Sequence, residues 1–383
     1  MTVTRLDLEQ ADQVRDRPTW LELDRNALRH NLTQIIGLTL PGASILAVIK
    51  ANAYGHGLLE VARSLNGLVA YFGVASIDEA LALRRFEIDT PILLFGVPFR
   101  SATEAAIEAE VSIAVSSVEQ AKEISEAAAK LRKPAVIHIK VDTGMGRLGI
   151  SKASALSAIE QISKFPGLQL EGLFTHFPQG DEEDSFTKDQ IRAFYRLIDQ
   201  ASEKGIHFAF RHAANSMGIL NHREANFNLV RPGLTLYGIH PNAKLKRKLN
   251  LKPVLTWHTR IILIKKLAAG ESTGYNRTFV AQKETTVGIL PVGYSHGYPF
   301  ALSNKGEVLF HGKRYPVVGR ISMDYLAVDF GSGHSGAKTG ETVTLLGRDG
   351  EDEISCEFLA ERAGTIPYEI VTQINSAIPR VIL

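Results

Sequence analysis

Eight short apolar runs, each closed by a turn-forming or polar residue and separated from the next by helical stretches or turns, dominate residues 45–231. They are ILAVI (45–49), FGVA (72–75), PILLF (91–95), SIAVS (112–116), AVIHIKV (135–141), LEGLFTH (170–176), FRHAA (210–214) and NLVR (228–231). Short runs of β-branched and aromatic residues predict strands buried on both faces, hence a parallel sheet. Helical patterns fill the gaps, most clearly at 106–111, 118–133 and 189–205, the last stopped by Gly205. Eight strand–helix units in roughly 200 residues match an eight-stranded (β/α)8 TIM barrel. A doubly wound open sheet shares the alternation, and a strand count does not exclude it.

The texture changes near residue 245. KLKRKLN (244–250) reads as a linker or a solvated strand edge. Period-two runs follow at 255–267, 285–294, 307–321, 326–330 and 342–347, with one helical pattern at 356–364. These predict an antiparallel β domain. The expected organisation is a polar N-terminal arm at 1–17, a barrel over 18–245 and a C-terminal β domain over 246–383. Lys+Arg and Asp+Glu number 43 and 41, a formal net charge of +2, so a nucleic-acid partner is not expected. The longest apolar runs are too short to span a bilayer, so no membrane is expected either. The first residues carry Asp7, Glu9, Asp12 and Asp16 without an apolar h-region. No secretory signal is expected, and the expected location is cytoplasmic. Cys356 is the single cysteine, which excludes an intrachain disulfide and a thiolate cluster. The histidines show no helical metal-ligand spacing with a carboxylate, so no metal is expected.

In a barrel, chemistry sits at the C-terminal ends of the strands. Lys50 ends the first run, in AVIKANAYGHG (47–57). Burial there would lower its pKa and make it a nucleophile toward a carbonyl; a strand-capping lysine that snorkels is the plainer reading. Loops after the seventh and eighth strands form the usual phosphate site of this fold. Here they read AANSMG (213–218) and RPGLTLYG (231–238), where Ser216 offers a hydroxyl and Gly233 permits close approach of an anion. A lysine on the first strand and a phosphate cradle after the last two together suggest pyridoxal phosphate. GMGRLG (144–149) matches a dinucleotide-binding string, but Arg147 interrupts it and the next helix is expected only near Ser151.

The blocks AVIKANAYGHG (47–57), VDTGMGRLG (141–149), GLFTHF (172–177), HAANS (212–216), VRPGLTLYG (230–238), LPVGYSHG (290–297), VGRISMD (318–324) and IPYE (366–369) resemble the alanine racemases, in order, from about residue 18 onward. The resemblance implies a pyridoxal 5'-phosphate enzyme interconverting L- and D-alanine by a two-base mechanism, supplying D-alanine for peptidoglycan. It implies a head-to-tail homodimer with shared active sites. It makes Lys50 the cofactor lysine and one catalytic base, and Tyr275 the other, supplied by the second subunit. Arg231 would donate to the pyridine nitrogen, with His176 behind it. Tyr54, Ser216 with its neighbour Asn215, Tyr368 and the backbone at Gly233 and Leu234 would hold the phosphate. Arg147, Met323 and Tyr294 would bind substrate or line its entrance, and Lys140 would be open to carbamylation. A plain ion pair of Lys140 with Asp142 or another carboxylate is the alternative. Asn276 stands where the family has glycine after the catalytic tyrosine, and Met217 where smaller residues are common. A broader or serine-preferring racemase on the same scaffold stays open. So does a non-catalytic cofactor-binding barrel, although that would lack the β domain and its tyrosine.

Overall fold

A computed structural model describes residues 16–179, 185–240, 249–332 and 336–383. The expected arm lies almost entirely outside them, as does most of the basic stretch at 244–250. The first strand, β1 (Thr19–Leu23), is followed by the barrel strands β2 (Ser44–Val48), β3 (Tyr71–Val74), β4 (Ile92–Leu94), β5 (Val111–Val115), β6 (Ala135–Asp142), a two-residue spur β7 (Ile150–Ser151), β8 (Leu168–Phe174), β9 (Phe210–His212) and β10 (Leu229–Val230). Parallel pairing runs β10-β2-β3-β4-β5-β6-β8-β9. The ring closes where Arg231 N donates to Ala214 O at 2.9 Å, beside a parallel bridge of Asn215 with Arg231. All eight expected runs are strands of one barrel, because each is apolar enough to be covered by helices outside and side chains inside.

Helix positions differ from the sequence reading in detail. Of the stretch expected at 106–111 only 106–108 is helical, as the end of Arg100–Glu108, and Val111 already opens β5; the one at 189–205 starts earlier, at Ser185–Glu203. Past GMGRLG the helix opens only at Ala155–Ile162, while Ile150–Ser151 pairs with β6. Asp142 explains the delay: its carboxylate accepts the Gly144 and Gly146 N–H groups and folds the segment back as a loop.

The second unit is a mostly antiparallel sheet. Its strands are β11 (Leu255–Arg260), β12 (Leu263–Leu267), β15 (Thr285–Leu290), β16 (Glu307–Phe310), β17 (Lys313–Val318), β18 (Leu326–Gly331), β19 (Thr342–Asp349), β20 (Asp352–Ile354) and β21 (Arg380–Ile382), with a small separate hairpin of β13 (Ser272–Thr273) and β14 (Phe279–Val280). β11 alternates buried and half-buried residues, as period two requires. The division at residue 18 needs correction. β1 belongs to this sheet, antiparallel to β11 and parallel to β21. Trp257 Nε1 donates to Thr19 Oγ1 at 2.9 Å, tying the seam. One apolar core runs through both units, from Leu46 and Ile137 in the barrel to Trp257, Tyr298 and Val308 in the sheet. Among the described residues no helix is long and apolar enough to cross a membrane.

Candidate active site

Lys50 follows β2 by two residues, at the C-terminal mouth of the barrel. Behind it the chain makes a left-handed turn: Ala51, Asn52, Ala53 and Tyr54 have φ of 53°, 53°, 52° and 53°. Such residues cost about 1–2 kcal/mol each, so surrounding bonds must hold them. Ala53 N donates to Ile49 O at 2.8 Å, Gly57 N to Asn52 O at 2.9 Å, and Leu58 N to Asn52 Oδ1 at 2.8 Å. Glu79, part of the capping box of the helix Ile77–Arg85, also accepts Asn52 N at 3.2 Å. Burial holds the Lys50 ammonium below the usual lysine range; Arg147 adds to the shift and Glu79 opposes it.

Arg231 follows β10 and is buried. Its Nη2 donates to Thr175 O at 2.8 Å and Ala213 O at 2.9 Å and faces His176 Nδ1 at 3.3 Å; its Nη1 faces His212 Nδ1 at 3.0 Å. Burial pulls its pKa down to about 9, which leaves it charged at neutral pH. His176 and His212 are driven well below the ordinary imidazole value, first by burial and then by Arg231. Lys140, inside β6, is buried and makes no ion pair with Asp142 or any other carboxylate among the described residues; its Nζ lies 5.8 Å above the Phe174 ring. Burial, then Arg147 and Arg231, bring it to about 8. Arg147 itself is exposed, in the loop after β6.

The loops after β9 and β10 meet as the fold requires. Ser216 opens the short helix Ser216–Asn221, whose N-cap is Asn215, with its side chain accepting Gly218 N at 3.0 Å. Gly233 N donates to Ser216 Oγ at 3.0 Å, and Thr235 Oγ1 lies 3.1 Å from the same hydroxyl. A Cβ on Gly233 would stand 2.7 Å from the Tyr54 hydroxyl. The Tyr54 and Tyr368 ring centroids are 6.0 Å apart, and Leu234 begins the turn after Gly233. The Tyr54 hydroxyl, the Ser216 hydroxyl and the Gly233 backbone thus come together, with the Tyr368 ring beside Tyr54, a set of groups of the kind that takes phosphate oxygens.

The β domain carries a second group. Tyr275 sits on the hairpin between β13 and β14 and is 70 % exposed. It shares a shallow surface cavity with Arg320, Ser322 and Tyr325. Asn276 has φ of 61°, a glycine-like conformation that asparagine tolerates better than other side chains, so this departure from the family leaves the turn intact. Tyr294 N donates to Ser322 O at 3.1 Å and Ser295 N to Met323 O at 3.0 Å, which presents Tyr294 and Met323 together, 47 % and 55 % exposed. Among the described residues no hydrogen bond, ion pair or ring contact joins this group to the barrel mouth.

Sequence reasoning passed over His212, His138, Glu171 and Tyr71, which continue from Arg231 into the barrel. Their signal was a polar residue on the inward face of an otherwise apolar strand: His138 and Lys140 stand two apart in β6, so they share one side of it.

The sequence matches the family described as "Alanine racemase, N-terminal domain" over residues 23–241 and "Alanine racemase, C-terminal domain" over 254–382. The alanine racemase of Methanococcus maripaludis is 38% identical over 370 residues, covering 96% of this chain and 99% of that one. The solved alanine racemase of Clostridium difficile 630 superposes with a TM-score of 0.91 at 34% identity, covering 96% of each chain. That of Bartonella henselae, with covalently bound pyridoxal phosphate, gives 0.85 at 29% identity over 96% of this chain and 100% of that one. With both units matched in order and the fold shared, the chain belongs to the alanine racemase family.

Proposed function

We propose that this chain interconverts L- and D-alanine with pyridoxal 5'-phosphate, as a homodimer in which each site joins the barrel mouth of one copy to the β-domain face of the other. The observation that carries the shared site is the exposure of Tyr275, Tyr294 and Met323 on one surface while Lys50 lies at another. A face of exposed aromatic and apolar side chains marks an interaction surface. The cofactor reading rests on the cradle that a Cβ at Gly233 would invade, together with a depressed lysine and a buried arginine.

When bound, pyridoxal phosphate supplies the electron sink that makes an amino-acid α-proton removable. Lys50 would carry the cofactor; Ser216, Tyr54, Tyr368 and the backbone at Gly233 and Leu234, braced by Asn215, would hold its phosphate. Inversion needs a base on one face and an acid on the other. Lys50, held below its usual pKa, serves one face, and Tyr275 of the second copy the other, exchanging roles with direction. Arg231 has only donors and stays charged, so toward a pyridine nitrogen it would offer a hydrogen bond but no transferable proton, which would restrain side reactions. His176 backs it. Arg147 and the Met323 backbone receive the substrate carboxylate, and Tyr294 narrows the entrance. Lys140, at about 8 with no carboxylate partner among the described residues, has the neutral amine fraction that adds to carbon dioxide with release of a proton; a carbamate there would give Arg147 an anionic partner. The product fits supply of D-alanine to peptidoglycan from the cytoplasm.

Mixing two inactive variants, Lys50→Ala and Tyr275→Phe, tests the shared site. Hybrid dimers should contain one site with both bases intact and recover measurable racemisation. No recovery after verified subunit exchange sinks the shared site. No racemisation of alanine by the parent holoenzyme sinks the function itself.

A further inference from the structure

Arg231 is the near end of a hydrogen-bonded column that descends through the barrel interior. His212 Nδ1 lies 3.0 Å from Arg231 Nη1, and His212 Nε2 lies 2.9 Å from His138 Nδ1. His138 Nε2 then lies 2.9 Å from Glu171 Oε2, which also accepts the Tyr71 hydroxyl. Both imidazoles are fully buried, and Arg231 and Tyr71 nearly so; the Glu171 side chain is 20 % exposed. Phe174 stacks on His212 at 4.7 Å and 6°, and Phe210 on His138 at 6.2 Å and 16°, which fixes both ring planes. A Cβ on Gly172 would lie 2.2 Å from His138 Nδ1, so glycine next to Glu171 is what leaves room for the ring.

Donor chemistry allows the column one proton arrangement. A guanidinium only donates, so His212 Nδ1 must accept. A neutral His212 then carries its proton on Nε2 and donates to His138 Nδ1. His138 in turn carries its proton on Nε2 and donates to the Glu171 carboxylate. Every link points from the Arg231 cation toward the Glu171 anion. Linked hydrogen bonds of one sense polarise and strengthen one another.

We propose that His138 and Glu171 are positioning residues for the racemase site: through this column they hold His212 in its neutral Nε2–H tautomer, and so keep an acceptor against Arg231. The proposal rests on the function given above for Arg231. If Glu171 no longer accepts, the His138 proton is better placed on Nδ1, where it donates to His212 Nε2. That forces the His212 proton onto Nδ1, donor against donor with Arg231. A change deep in the barrel would thus reach the cofactor's ring-nitrogen partner without touching substrate.

Long-range spectra of protein labelled with 15N-histidine read both tautomers, with or without cofactor. In the parent, His212 and His138 should each be neutral and protonated at Nε2. Glu171→Gln keeps an acceptor oxygen and should preserve both tautomers, with kcat within about threefold of the parent. Glu171→Leu should move His212 to Nδ1–H and lower kcat about tenfold, the usual scale for a lost hydrogen bond to a charged group, at unchanged KM. An imidazolium or Nδ1–H His212 in the parent overturns the column even if the leucine variant does not fold. So does a leucine variant with parental tautomers and kcat, or equal losses in both variants. A parent that shows the tautomers but does not racemise alanine overturns the functional reading instead.

Discussion

His56 should cost this protein stability in mild acid through one identifiable proton. Its ring is fully buried beside Tyr237, with centroids 4.4 Å apart, and its Nδ1 lies 2.9 Å from the Tyr54 carbonyl oxygen. Nδ1 is therefore the donor of a neutral ring. A second proton on Nε2 would meet no acceptor, because that atom has no hydrogen-bond partner among the described residues. Burial lowers the pKa from 6.5 to about 4, Arg380 adds to the shift and the Tyr54 bond opposes it. Between those values the unfolded chain binds a proton that the folded one refuses. Stability is therefore whole above about pH 6.5 and falls as the pH drops toward 4, by about 1.4 kcal/mol per pH unit and about 3 kcal/mol in all. Chemical denaturation at one protein concentration, from neutrality down to about pH 4.5, measures this slope. His56→Phe keeps the ring stack and loses the Tyr54 bond, a pH-independent loss of about 1 kcal/mol. Its stability should fall less steeply than the parent's by close to one proton. His138 and His212 are depressed by burial too, but they contribute equally to both curves, so the difference isolates His56. Parallel curves would refute the assignment.

Two further outcomes follow from the site. Gly233→Ala adds a methyl group 2.7 Å from the Tyr54 hydroxyl; overpacking of this kind is worth about 1–3 kcal/mol, so pyridoxal phosphate measured by absorbance should dissociate about tenfold more readily, and unchanged retention would remove the cradle. With Lys140 at about 8, roughly 1 % of its amine is neutral at pH 6. Prolonged incubation there without bicarbonate should raise KM for alanine, bicarbonate at higher pH should restore it, and Lys140→Ala should not respond to either; a bicarbonate-insensitive parent would dismiss the carbamate.

The barrel was legible because parallel strands buried on both sides leave apolar runs that need no partner information. β1 was not, because TWLEL carries no sign of which sheet it joins; its partners lie at Leu255–Arg260 and Arg380–Ile382. Lys50, Ser216 and Gly233 could be found by place, since the fold dictates which strand ends hold chemistry, whereas Arg231 came only with the family resemblance. His212 and His138 were hidden for the opposite reason: they lie within strands, where an apolar reading absorbs one polar residue, and only the pairing of β8 with β6 and with β9 brings Glu171 and the two rings together. The left-handed turn after Lys50 was illegible too. KANAY has no glycine to announce four positive φ values, and the restraints come from Glu79 and from segments more than 300 residues away.

Those distant restraints show why the two units belong in one chain. Arg380, on β21, donates from Nε and Nη2 to Gly55 O at 3.1 and 2.7 Å, the carbonyl that closes the turn behind Lys50. A Cβ on Gly55 would stand 1.9 Å from Val371 O, so the helix Pro367–Thr372 presses directly on that turn. Tyr368, from the same helix, meets Tyr54. The left-handed turn, worth several kcal/mol of strain if left alone, is thus held in shape by the C-terminal unit of its own chain. In the proposed dimer that unit then acts twice. Toward its own barrel it fixes the backbone from which Lys50 works, and its exposed face brings Tyr275 to the barrel of the second copy. Both bases would then be placed by β domains, one from each copy, which ties formation of a complete site to folding of both units and to their pairing.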